Sequence, residues 1–312
     1  MITILGSGVA GLTTATELSR RGHLLQVVDP AGAPGPHGCS WWAGGMLAPF
    51  CEGETAAPEI IRQGQRAADW WQAAGATVHR MGTLVVALTR DRTELDRFAR
   101  RTHGHVTLEG DGLALEPLLA ERFERALFFA EEAHVTPRAA LAALRAGLEA
   151  RGVAFHRAAS PEGPVIDCRG LAARDLLPDL RGVRGEMVVL RAPDIVLHRP
   201  VRLLHPRFPL YIVPRGDGVF MLGATQLEAG GRGPVRLRSV VELLNAAYAL
   251  HPAFAEAEVL EFGADARPAF ADNIPRAFRQ EGRIHVNGLF RHGFLMSPAL
   301  AVAAADLIEE QA

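Results

Sequence analysis

The sequence predicts an α/β fold: a parallel, Rossmann-like sheet assembled from both ends of the chain, with an antiparallel sheet inserted between them. Three observations carry this. Ile2 to Leu5 is a short apolar strand that runs directly into Gly6-Ser7-Gly8-Val9-Ala10-Gly11 and a helix to about Arg21; Leu24 to Val28 follows as a second strand ending in Asp29. Between 183 and 266 the pattern changes to short strands separated by turns, with Gly216-Asp217-Gly218 as a hairpin turn. Near the end, Ile284 to Asn287 reads as a strand, Gly288 to Gly293 as a loop and Met296 to Gln311 as a helix.

The first of these is the βαβ fingerprint of dinucleotide binding in its proper context. Gly6 permits the tight turn, and Gly8 lets the backbone approach a pyrophosphate at the positive end of the helix. Gly11 lets helix and strand pack closely. Asp29, about 20 residues on, is placed to accept the hydroxyls of an adenosine ribose. The interleaving of segments suits a flavin dinucleotide better than a nicotinamide one, whose domain is usually a continuous block. The expected division is 1–182 with 267–312 for the nucleotide half and 183–266 for the antiparallel half. Segments near 55–130 contribute to the substrate side.

Between these blocks, 31–55 is a Gly/Pro-rich loop, and a helix is expected from Pro58 to Ala74. Thr83 to Leu88 is strand-like and Asp91 to Arg101 helical. Ala126 to Phe129 reads as a strand, and Thr136-Pro137 opens a helix to Ala150. Val153 to Phe155 and Val165 to Asp167 are further strands. In the inserted part, Gly185 to Leu190, Arg202 to His205, Leu210 to Pro214 and Val219 to Ala224 are strands, Val235 to Leu250 a helix, and Val259 to Ala266 extended.

Composition excludes several functions. A formal net charge of −2 argues against nucleic acid. The three cysteines are too few and scattered for a disulfide framework or a zinc site, and His103, His105 and His134 lack metal spacing. No metal is expected. All 33 basic residues are arginine, so Schiff-base lysine chemistry is impossible. The chain starts on its first strand and has no long apolar run, which leads to the expectation of a cytoplasmic protein.

Candidate chemistry clusters late in the chain. Pro268 cannot continue a central strand, so Arg267 is expected at a strand end, where its guanidinium could fork onto a carboxylate. Tyr211 could donate its hydroxyl to the same group. Arg291 lies in the final loop, and the helix after it could set positive potential against a reduced flavin ring. From the residues alone, a surface ion pair for Arg267 and a core role for Tyr211 remain open.

Four blocks together resemble the D-amino-acid oxidase superfamily, and within it the glycine oxidases of thiamin thiazole synthesis. They are the Gly6–Gly11 fingerprint; Ser40 to Pro49; Tyr211 to Arg215 with Gly223-Ala224-Thr225; and Ala266-Arg267-Pro268 with Asp272 to Pro275 and Gly288 to Pro298. The resemblance implies a glutathione-reductase type of FAD-binding domain and non-covalent FAD. Val9 and Ala10 would face the pyrophosphate, with Asp29 and then Pro30 at the adenosine ribose. Cys39, Ser40, Gly44, Gly45 and Met46 would line the ribityl chain and ring. Leu289, Phe290, Arg291, His292, Gly293, Phe294 and Leu295 would lie along the isoalloxazine. Arg267 would clamp the substrate carboxylate, with Tyr211 beside it and Arg291 as a second arginine.

The implied reaction is hydride transfer from a small amine to flavin N5. It gives an imine, then glyoxylate and ammonia, and hydrogen peroxide from oxygen. A homo-oligomer and handover of the imine to a thiazole-forming enzyme are also implied. Sarcosine, iminodiacetate or small D-amino acids stay open as substrates, as does another electron acceptor. A nicotinamide dehydrogenase and a non-catalytic flavoprotein are the rival classes. The chain departs from the family pattern at Gln226, where a methionine can stand, and in the short segment after Phe155, which leaves the adenine contacts unassigned. It also lacks the lysine that sarcosine oxidases place near the flavin.

Overall fold

The computed structural model describes residues 1–205 and 210–310. A six-stranded sheet runs in the order Arg276–Gln280, Arg283–Asn287, Val165–Asp167, Ile2–Leu5, Leu25–Val28, Ala154–His156. All its pairings are parallel except the outer hairpin of Arg276–Gln280 with Arg283–Asn287. The central strands Ile2–Leu5 and Leu25–Val28 are buried except for the half-buried Leu5, as a parallel sheet covered on both faces requires. Even their polar residues are enclosed: Gln26 Nε2 donates to Thr3 Oγ1 at 3.1 Å.

Against this sheet pack the helices Val9–Arg20, Pro137–Ala150 and Gly293–Glu309. Leu12, Ala15 and Leu18 meet Leu141, Leu144, Leu148, Leu300, Ala304 and Ile308 in one apolar core. The last helix is apolar nearly all round, which suits its place between the sheet and neighbouring helices. It begins three residues before the expected Met296, at Gly293. Gln311, its expected end, lies outside the described residues.

A second, larger sheet follows the order Leu227–Glu228, Arg181–Arg191, Val219–Gly223, Leu210–Pro214, Val201–Leu204, Thr83–Ala87, Arg125–Phe129, Val106–Glu109, with Glu258–Ala269 also pairing to Arg181–Arg191. It is antiparallel except where Val201–Leu204 runs parallel to Thr83–Ala87. The helix Leu237–Leu250 covers it, burying Leu243, Ala247 and Leu250 against Leu190, Ile212 and Leu222. A small sheet of Met46–Leu47, Ala133–Val135 and Val78–His79 completes the set.

Two expectations need correction, and two strands add to those expected. The strand expected to stop at Arg267 runs through it to Ala269, pairing Arg267 with Val183 and Pro268 with Gly182. Pro268 is tolerated because this strand pairs on one side only, so no ladder bond is lost. The single helix expected from Pro58 to Ala74 is two, Pro58–Gly64 and Ala67–Ala73. The first stops at Gly64, where a Cβ would come within 2.8 Å of Leu295. Finally, Val106–Glu109 and Arg276–Gln280 are strands that the sequence did not announce, since both are largely exposed and carry little apolar alternation.

Candidate active site

The turn after the first strand has the geometry its glycines predict. Gly6 has φ +99°, and a Cβ there would fall 2.7 Å from the Cys168 carbonyl oxygen. At Gly11 a Cβ would meet the Gly6 carbonyl oxygen at 1.9 Å, so the helix can start here only without a side chain. Gly8 is the N-cap, and no side chain caps the helix from that position. Among the described residues, only the Val9 amide of this helix start finds a side-chain acceptor, Ser40 Oγ at 3.1 Å. The helix end is therefore left open for an anion.

That end opens on a cavity of about 950 Å³, at the large end of the range for ligand pockets. Gly6, Gly8, Val9, Ala10, Asp29 and Pro30 line one part of it, and Cys39, Ser40, Gly44, Gly45 and Met46 another. Leu289, Phe290, Arg291, His292, Gly293, Phe294 and Leu295 line it too, together with Arg267 and Tyr211. Gly11 lies behind the wall and acts through packing. Asp29 is already engaged by the turn: its Oδ2 accepts from the Ser7 amide at 2.7 Å and the Ser7 hydroxyl at 2.8 Å, and its Oδ1 from the Ala31 amide at 2.9 Å.

The loop from Cys39 to Met46 is pinned from the larger sheet. Arg215 donates to the carbonyls of Gly44 at 2.8 Å and Val135 at 3.2 Å. Burial, then Arg138, pushes the Arg215 pKa down to about 10. Gly45, at φ +72°, is held so close to Val135 that a Cβ would lie 2.1 Å from its carbonyl oxygen. Burial raises the Cys39 thiol to about 11, so it stays protonated at neutral pH.

Two arginines in the other part of the cavity differ in state. Among the described residues no carboxylate pairs with Arg267; its guanidinium makes only long contacts, 3.4 and 3.5 Å, to the Thr225 carbonyl oxygen. Burial lowers its pKa, as expected for a cation without a partner. Arg291, expected as a second arginine at the substrate, is bound to Glu52 Oε2 at 2.8 Å and to Thr55 Oγ1 at 2.5 Å. Its charge is largely answered within the protein. Burial opposes ionisation of Glu52, but Arg291, His292 and Arg202 outweigh it and hold the carboxyl below its usual range. His292, 3.5 Å from the same oxygen, is pushed down to about 4 by burial and is neutral at pH 7.

Sequence reasoning missed three groups here. Glu52 and Arg202 both line the cavity. Arg202 Nη2 donates to Glu54 Oε2 at 2.7 Å and Nη1 to the Tyr211 hydroxyl at 3.2 Å. Gly185 is the third: a Cβ there would sit 1.9 Å from Arg267 Nη2. It leaves the space that the guanidinium fills. Gln226 lines the same cavity but is exposed.

The helix Gly293–Glu309 starts at the cavity, and no side chain caps it at His292. The loop before it is tied to the Arg267 strand by the Phe290 amide on the Pro268 carbonyl, 2.8 Å. Gly288, at φ +74°, lets Phe270 come within 2.2 Å of where a Cβ would stand. A dinucleotide carrying a redox ring fits this set. It finds an open helix end for its phosphates, a Cβ-free approach at Gly8 and a second helix end for a ring that becomes anionic on reduction.

Fold and cavity thus define a dinucleotide-dependent oxidoreductase with an unpaired cation in its pocket. The chain belongs to the DAO family of FAD dependent oxidoreductases, whose model matches residues 1–307. FAD is its cofactor. A protein of Rhizobium etli named for thiamine biosynthesis, the oxidoreductase ThiO, is 54% identical over 319 residues, covering 99% of this chain and 97% of that one. A bifunctional ThiO/ThiG protein of Trichormus variabilis is 24% identical over 99% of this chain and 53% of its own length. The crystal structure of glycine oxidase from Geobacillus kaustophilus has the same fold, with a TM-score of 0.83 at 24% identity over 99% of this chain and 94% of that one. Among the described residues, no helix is long and apolar enough to cross a membrane.

Proposed function

We propose that this enzyme oxidises glycine, or a similarly small amine beside a carboxylate, to the imine, which hydrolyses to glyoxylate and ammonia. The observation that carries the reading is the half-buried Arg267 guanidinium in the cavity wall, with no carboxylate partner among the described residues. A substrate carboxylate supplies the missing anion, and two charge-assisted bonds fix its orientation. Tyr211 adds a hydroxyl beside it. FAD, held non-covalently, supplies the two-electron acceptor and is reoxidised by oxygen to give hydrogen peroxide.

The chain itself binds, orients and excludes water. Arg267 anchors one end of the amine, the wall from Leu289 to Leu295 holds the ring side, and His292 stays neutral near it. Arg291 acts as half of an ion pair with Glu52 that shapes the pocket, rather than as a second clamp. Asp29 supports the adenosine end by holding the Ser7 turn, with lone pairs left for ribose hydroxyls. The division into a nucleotide half and a substrate half, with the strands from 83 to 129 joining the substrate side, is part of this reading. So are a homo-oligomeric state and a cytoplasmic setting.

The R. etli relative's name supports a place in thiamine biosynthesis, and the fused ThiO/ThiG relative supports handover of the imine to a thiazole-forming enzyme. Anaerobic titration with glycine, sarcosine and D-alanine, followed by flavin absorbance, tests the proposal. Glycine should bleach the flavin and Arg267→Ala should lower its turnover at least about a hundred-fold with flavin still bound. No bleaching by any of the three amines refutes it.

A further inference from the structure

Arg202 is unusual for a residue in the middle of a sheet. It is only 2% exposed, yet lines the cavity. It stands directly opposite Tyr211 in the antiparallel ladder, with its guanidinium 4.7 Å from the Phe98 ring centroid and 5.4 Å from that of Tyr211. Nη1 donates to the Tyr211 hydroxyl and to the Cys51 carbonyl, each at 3.2 Å, and Nη2 to Glu54. Nε is buried without a hydrogen-bond partner among the described residues. Burying a guanidinium is costly unless it is paired and fully bonded. Here the pairing is incomplete, so simple packing between two rings does not account for an arginine.

We infer that Arg202, pinned by Glu54, is a positioning residue that aims the Tyr211 hydroxyl hydrogen at the substrate carboxylate. A phenol has one hydrogen to give and an oxygen that accepts. With Arg202 donating to that oxygen, the hydrogen cannot point back along the same line. The cavity is the side left to it, and there the carboxylate held by Arg267 is the acceptor. Donation from a cation also polarises the hydroxyl and strengthens the bond it gives. Arg202 thus acts through Tyr211 and needs no contact with substrate.

This inference rests on the carboxylate-clamp reading of Arg267, and the test separates the two. The probe is acetate, a monocarboxylate that cannot be oxidised here, with its Kd read from the perturbation of the flavin absorbance. Arg267→Ala, Tyr211→Phe, Arg202→Met and the Tyr211→Phe/Arg202→Met pair are compared, and each is scored for flavin content. Arg202→Met and Tyr211→Phe should each raise the acetate Kd by about ten-fold or more, and the double variant should be no worse than Tyr211→Phe alone. In turnover, the loss in Arg202→Met should fall on KM for glycine rather than on kcat. If Arg202→Met does not retain flavin, the same cycle is read on Arg202→Gln. Multiplication of the two losses in the double variant overturns the inference, as does a Kd unmoved by the Arg202 change. An acetate Kd unmoved in Arg267→Ala overturns the clamp and this inference with it.

Discussion

Gly185→Ala is the sharpest probe of the pocket, because it moves the Arg267 guanidinium without altering a charge. A Cβ at 185 would lie 1.9 Å from Arg267 Nη2, 2.4 Å from Cζ and 3.0 Å from Nε. Restoring ordinary contact requires a displacement of roughly 1.5 Å or more. The colliding atoms are the far end of a flexible side chain, so the guanidinium gives way and the sheet does not. A misplacement of about 1 Å at a positioning group costs on the order of a hundred-fold in rate, or about 2.7 kcal/mol. The expected outcome is normal flavin content, an acetate Kd raised in proportion and kcat/KM for glycine down by about that factor. Steady-state peroxide formation and flavin titration measure both. Values within about two-fold of the parent, with flavin fully bound, would refute the claim that Gly185 makes the room Arg267 occupies.

Asp29→Ala removes the acceptor of two amides and one hydroxyl at the glycine turn. It should lower the flavin-to-protein ratio after purification and the melting temperature together; a full complement of flavin would count against it. Glu132 gives a pH test. Burial raises its pKa from 4.5 to about 7, while Cys51 donates its amide to Oε1 at 2.7 Å. Below pH 4.5 both folded and unfolded chains hold the proton. Between 4.5 and about 7 only the folded chain does, so stability falls as pH rises through this window, by up to about 3 kcal/mol. Glu132→Gln is neutral throughout and should flatten that slope in thermal melts from pH 4 to 8. An unchanged slope would show that another group sets it.

How much the sequence disclosed follows from how local each determinant is. The Gly6–Gly11 turn was legible because helix start, tight turn and close packing all act within a few residues. Arg267 was found, but its setting was misjudged: Pro268 signals a strand end only in a central strand, and edge position is a property of the whole sheet. The ion pair of Arg291 gave no local signal because its partner Glu52 comes from the opposite end of the chain. Arg202 and Gly185 gave no local signal. Their roles exist only once Val201–Leu204 pairs with Leu210–Pro214 and Arg181–Arg191 brings residue 185 under Arg267. The exposed strand Val106–Glu109 stayed hidden because little of it is buried, and burial is what writes a period into a sequence.

The order of the parallel sheet also bears on how the protein is made. Its strand Val165–Asp167 is flanked by Ile2–Leu5 and by Arg283–Asn287, with Ile166 paired to Ile284. A ribosome moving at ~5–20 residues per second therefore exposes one unzipped edge of this sheet for several seconds before the closing strand emerges. Throughout that interval the wall from Leu289 to Leu295 does not exist, so the cofactor cannot be fully enclosed on the nascent chain. Flavin should therefore be enclosed only once Leu295 has emerged, and removal of the helix Gly293–Glu309 should abolish flavin retention before it abolishes the antiparallel sheet.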